Sequence, residues 1–158
     1  MSTRCHIIVE DPRYGDKTIL YRHSDGYPNG EHGVLASLVP FVVRFMKHRG
    51  FDACYMGAHI IADQIQRSRE HDREWCERSI KRDEANGHDP SYYREKLANL
   101  ENDFLGFGIS SEIHGDVDYI YRVTPEGIHV EEAGGNKLTE DHEAQDMLEH
   151  GTIPERFL

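Results

Sequence analysis

Runs rich in β-branched residues stand at both ends of this chain, and the long stretch between them reads as helix and loop. "RCHIIVE" and "KTILYRH" open it, separated by "DPRYGD", whose Pro and Gly suit a hairpin loop. "VDYIYRV", the turn "TPEG" and "IHVEE" follow after residue 116 as a second hairpin. Val117, Tyr119, Tyr121 and Val123 alternate on one side of that strand, against Asp118, Ile120 and Arg122 on the other. The element order β-β-α-α-α-β-β-α has no regular βα alternation. It specifies an α+β fold, with an antiparallel sheet built from N- and C-terminal hairpins and packed by a core helix. A length of 158 residues makes residues 1–158 a single domain by expectation.

The core helix lies in "VLASLVPFVVRFMKHRG". Val34, Leu35, Leu38, Val42, Phe45 and Met46 recur there at helical spacing, basic residues fill the last turn, and Gly50 stops it. Pro40 kinks this helix unless Ser37 is the N-cap and Pro40 falls in the first turn. Asp52 caps a second helix that runs through charged sequence to about Asn86 and stops at Gly87. A third begins at "DPSYYREKLANLENDF" with Asp89 as cap. Both keep only narrow apolar seams: Ile65, Trp75 or Cys76, and Ile80 on one, Tyr93, Leu97, Leu100 and Phe104 on the other. That pattern predicts a charged helical hairpin arm over about 64–103, which projects or forms a homo-oligomer. "LTEDHEAQDMLEHG" is a last helix, capped at Thr139 and stopped by Gly151.

Charge and cysteine usage narrow the function classes. With 18 basic against 29 acidic residues the net charge is −11, which disfavours non-specific nucleic-acid binding and anionic membranes. The N-terminus "MSTRCHIIVEDP" has too short an apolar run for a signal peptide or membrane anchor. Cys5, Cys54 and Cys76 are an odd number without a close pair, which fits reduced thiols and a cytoplasmic location.

The candidate site begins with "YRHSDGYPNGEHG", which leads from the second strand into the core helix. His23 and Asp25 are two positions apart, so in an extended segment both side chains leave on one side, and Gly26 then permits a turn. His114 and Asp116 repeat the spacing beside Gly115, and His59 and Asp63 share a face of the second helix. Histidine beside carboxylate serves divalent metal binding and acid-base chemistry alike. The candidate metal ligands are therefore His23, Asp25, His59, Asp63, His114 and Asp116, with a divalent metal as the only cofactor the pattern suggests. A second use of the same loop is anion binding, in which Gly26, Gly30 and Gly33 lead into a helix N-terminus with Arg22 nearby. The candidate ligand-binding set is then Arg22, His23, Asp25, Gly26, Tyr27, Gly30, His114 and Asp116. Blander readings apply to each feature: an Asx turn for H-x-D, a tight connection for the glycines, and helix-sheet packing for His59.

"YRHSDGYPNG" together with "GFGISSEIHGDVDYIYRV" resembles a family of small uncharacterised proteins of bacteriophage and bacterial genomes, which share a YRHxDGYPxG loop and a later HGDxxYxY strand. The resemblance covers the two sheet halves, roughly a quarter of the chain, and implies a phage or prophage origin without a catalytic role. Two function classes follow. The first is a non-enzymatic binding protein, a phage accessory or host-interaction factor that captures a small polar or phosphorylated ligand or docks on a host protein. The second is a metal-dependent hydrolase in which the His/Asp pairs hold an ion that activates water. An acidic protein-protein inhibitor is a third alternative.

Overall fold

Both terminal hairpins form where the β-branched runs place them. In the computed structural model, which describes residues 2–158, β1 (Cys5–Asp11) pairs antiparallel with β2 (Asp16–Arg22), and β4 (Tyr119–Thr124) pairs antiparallel with β5 (Gly127–Glu132). The hairpins join through β1 and β4, which run parallel with Cys5 opposite Tyr119 and Val9 opposite Val123. Parallel neighbours need a long crossover, and the helical middle of the chain supplies it. A further strand, β3 (Phe107–Ser110), pairs antiparallel with β2 and makes the order β3-β2-β1-β4-β5. Its sequence, FGIS, is too short and too glycine-rich to declare itself a strand; pairing with β2 decides it. The protein is thus α+β, with a mostly antiparallel five-stranded sheet.

The chain divides into two compact units, one formed by residues up to Ile61 together with Gly106–Leu158, the other by Ala62–Leu105. In the first, α1 (Val34–Arg49), the start of α2 (Ala53–Ala85) and α4 (Asp141–His150) contribute to one core. Val34, Leu35, Leu38 and Val42 of α1 are fully buried and pack with Ile7, Val9, Tyr121 and Val123 of the sheet, with Met56 and Ile60 of α2, and with Met147 of α4. Each such side chain contributes about 1.5–3 kcal/mol of burial. Gly57 lets α2 approach β2, because a Cβ there would meet the Thr18 side chain at 2.7 Å. Thr18 in turn donates its hydroxyl to the Ala53 carbonyl at 3.2 Å.

Several local expectations shift. Pro40 lies inside α1, and Gly33, not Ser37, precedes the helix. Pro40 is exposed, on the outer side of the helix. Thr139 does not cap α4. It is buried, and its hydroxyl accepts the Val130 N–H at 3.0 Å, while Glu140 precedes the helix and donates its N–H to the Glu143 carboxylate at 2.9 Å. Val117 precedes β4 instead of belonging to its core-facing row, and it joins Ile8, Ile19 and Ile120 in a second apolar cluster on the other face of the sheet. Ile120, on the side opposite Tyr119 and Tyr121, is buried there.

Within the second unit, α2 runs on to Ala85 and α3 (Ser91–Asn99) follows the turn at Gly87. Asp89 accepts the Ser91 N–H at 3.0 Å, the expected cap. Trp75 meets Tyr93 edge to face at 5.1 Å, and Cys76 and Leu100 are buried. Phe104, expected on the seam, is fully exposed, because α3 gives way to a 3-10 turn at Leu100–Asn102 and the helical spacing lapses. Among the described residues no helix is long and apolar enough to cross a membrane.

Candidate functional site: an imidazole and tyrosine cluster on the second sheet face

The side chains of β1 and β2 that point away from the helical core carry the chemistry. His6 faces the same way as Ile8, and its cross-strand partner is Tyr21. His6 is completely buried. Its Nδ1 lies 3.0 Å from the Leu20 carbonyl, and its Nε2 lies 2.9 Å from the backbone N–H of His114. A carbonyl can only accept and a backbone N–H can only donate, so the ring is the neutral tautomer with its proton on Nδ1. Burial, the largest cause, pushes the His6 pKa below its ordinary value, with His114 acting in the same direction and the Leu20 carbonyl and Asp116 opposing.

Two aromatic groups stand against this buried ring, and a third adjoins them. The His114 ring lies edge-on to His6 at 5.1 Å, and the Tyr21 ring lies 5.7 Å from His6 and 5.3 Å from His114. The Tyr21 hydroxyl hydrogen-bonds His23 Nδ1 at 3.0 Å. His23 and Tyr21 are two positions apart on one strand face, and the His23 N–H donates to the Gly106 carbonyl at 2.8 Å, which carries the β2 direction one residue past its end. Gly106 must be glycine, since a Cβ would lie 2.7 Å from that of His23. His23 and His114 are both exposed. Among the described residues, no protein group hydrogen-bonds His23 Nε2 or either ring nitrogen of His114.

The structure therefore brings His23 and His114 to one tyrosine. Asp116 lies in the same loop, where it forms an ion pair with Arg4, whose backbone N–H donates to the Asp118 carboxylate at 2.8 Å. Asp25 leaves the cluster: it adopts φ 54°, in the left-handed region, so the extended geometry that would align it with His23 ends there.

His59 and Asp63 do not join the others. The His59 ring lies 5.9 Å from Phe45, with Nδ1 donating to the Tyr55 carbonyl at 2.8 Å, on the helical side of the sheet. Asp63 is paired with Arg67 one turn along α2, at 2.7 Å. Among the described residues no group of three or more His, Cys, Asp or Glu side chains is arranged to hold a metal ion. Asp63 and Asp116 are each taken by an arginine, Asp25 turns away from His23, and the sheet separates His59 from His114.

The glycine loop is built for packing. The Gly26 N–H donates to the Thr3 carbonyl at 2.9 Å, the buried Tyr121 hydroxyl donates to the Gly26 carbonyl at 2.7 Å, and a Cβ on Gly26 would come within 2.9 Å of Arg4 and Cys5. Arg22 donates to the Ser24 carbonyl at 2.7 Å and lies over the Phe107 ring. Gly30 donates to the Phe157 carbonyl at 3.0 Å, and Tyr27 uses its carbonyl to accept the Val34 N–H at 2.9 Å. With Val34 and Leu35 fully buried, the α1 N-terminus offers no open cradle for an anion.

Reasoning from sequence missed His6, Tyr21 and Arg4. A histidine inside an apolar strand run and a tyrosine two positions before His23 were the available signals. A separate cleft of about 790 Å³ opens beside the start of α4. Its arginine, Arg156, is committed to Glu143 in a bidentate pair at 2.5 and 2.7 Å. No family model, curated protein or solved structure matches this chain. The fold and its exposed face define an α+β sheet protein that presents an imidazole and tyrosine cluster.

Proposed function

We propose that this chain is a binding protein that captures a small phosphorylated ligand at Tyr21, His23 and His114, with Arg4 and Asp116 at its margin. One observation carries the reading: residues 91 positions apart in the chain put three uncommitted imidazole nitrogens around one tyrosine. Imidazoles that can donate suit a phosphate, whose charged oxygens accept charge-assisted hydrogen bonds, while neutral sugars would gain only unassisted hydrogen bonds there. The hydrolase reading is less favoured, since among the described residues no three His, Cys, Asp or Glu side chains are arranged to hold a metal ion.

The test is a titration of the whole chain with glucose 6-phosphate, glucose and inorganic phosphate, followed by amide and imidazole NMR signals. The phosphorylated sugar and phosphate shift His23, His114 and Gly115, glucose does not, and His114→Ala removes the response. A response of the same size to glucose, or none to either phosphate at millimolar concentration, refutes the reading.

A further inference from the structure

On the helical side of the sheet, the second half of α1 and the first turns of α2 enclose a cleft of about 400 Å³ walled by Phe41, Arg44, Phe45, Arg49, Tyr55 and His59. Its charge runs against that of the chain. Within a protein of net charge −11, no acidic residue occurs from Gly33 to Phe51, while Arg44, Lys47, His48 and Arg49 fall close together. The last three complement the α1 C-terminal dipole, which explains them without a ligand. Arg44 lies a turn earlier and, among the described residues, has no carboxylate partner; its guanidinium stands 5.3 Å from the Phe41 ring centroid.

The cleft also carries an open stacking platform. The Arg49 guanidinium lies 3.8 Å from the Tyr55 ring centroid, and Tyr55 is 51% exposed. Among the described residues only a long ion pair, 3.8 Å to Asp52, draws on the Arg49 charge. The walls are fixed in place: Phe41 stacks with Phe45, and the His59 hydrogen bond to the Tyr55 carbonyl holds its ring against Phe45. Aromatic walls with a few convergent cations, in a volume of this size, are the features of a small-molecule site.

We propose that this cleft binds a small molecule in which a planar aromatic ring carries an anionic group. The ring stacks on the Arg49 and Tyr55 pair, and Arg44 takes the anion. The cleft is distinct from the imidazole cluster and does not depend on it.

Adenosine 5′-monophosphate, adenosine and inorganic phosphate separate the two contributions when each is titrated into the full chain and amide shifts are followed. Saturable shifts confined to residues 41–59 are expected with the nucleotide, at an affinity at least about tenfold above that of either fragment. Arg44→Ala and Tyr55→Ala each weaken nucleotide binding about tenfold, Tyr55→Phe retains it, and His114→Ala leaves it unchanged. Phosphate alone binding as tightly as the nucleotide, shifts centred elsewhere, or absence of saturation at millimolar nucleotide would overturn the proposal. The comparison of three probes on the unaltered chain decides it even where a variant folds poorly.

Discussion

The backbone N–H of His114 donates to Nε2 of His6 at 2.9 Å, across 108 positions of chain. This bond pins the loop that carries His114 and Asp116 to a buried strand, and it exists only while His6 is neutral. A proton on Nε2 would set two donors against each other.

Stability should therefore fall in mild acid. The folded pKa of His6 lies below 6.5, so the unfolded chain takes up that proton first. The contribution of His6 is complete above about pH 6.5 and is lost as pH falls toward its folded value, by up to about 1.4 kcal/mol per pH unit. Urea unfolding between pH 7.5 and 5 measures this, and His6→Phe, which cannot titrate, gives a shallower dependence. Amide exchange at His114 accelerates over the same range in the unaltered protein.

Gly26→Ala should cost about 2–3 kcal/mol, because the added methyl meets backbone and Cβ atoms of Arg4 and Cys5 at 2.9 Å, and these cannot move without disturbing β1. Gly115→Ala, where nothing lies within 4 Å of the added carbon, should change stability by less than about 0.5 kcal/mol. Paired urea midpoints compare the two. Equal losses would show that the glycine loop is not seated as described.

The Arg156 pair gives a second acid-sensitive element. Its guanidinium holds the Glu143 pKa down at about 2, aided by the Glu140 N–H. Stability from this pair is present above the ordinary glutamate value and declines as pH drops from there toward 2. Arg156→Ala should lower the melting temperature at neutral pH and flatten the pH dependence between 4.5 and 2. Circular-dichroism melts across that range are the measurement.

Thiol reactivity should separate the cysteines. Cys5 is fully buried and its pKa is pushed up to about 12 by desolvation, and Cys76 is also buried, whereas Cys54 is exposed. A chromogenic disulfide reagent at pH 8 should react rapidly with one thiol per native chain and with three after denaturation. Rapid modification of two or more native thiols would contradict the burial of Cys5 or Cys76.

Much of this fold was written in local pattern. β-branched runs fixed four strands, and the 3.6-residue spacing of Val34, Leu35, Leu38 and Val42 fixed the core helix, because period and propensity are properties of neighbouring residues. His23 and His114 were visible as site residues for the same reason: glycine and aspartate beside histidine is a local signature. What joins them is not local. The parallel pairing of β1 with β4, the recruitment of FGIS as an edge strand, and the burial of His6 beneath the loop of His114 depend on contacts between segments a hundred residues apart. Only the assembled sheet could decide that Asp116 would answer to Arg4, that Asp63 would answer to Arg67, and that two imidazoles would share a tyrosine, since a charge takes whichever partner the packed backbone brings within reach.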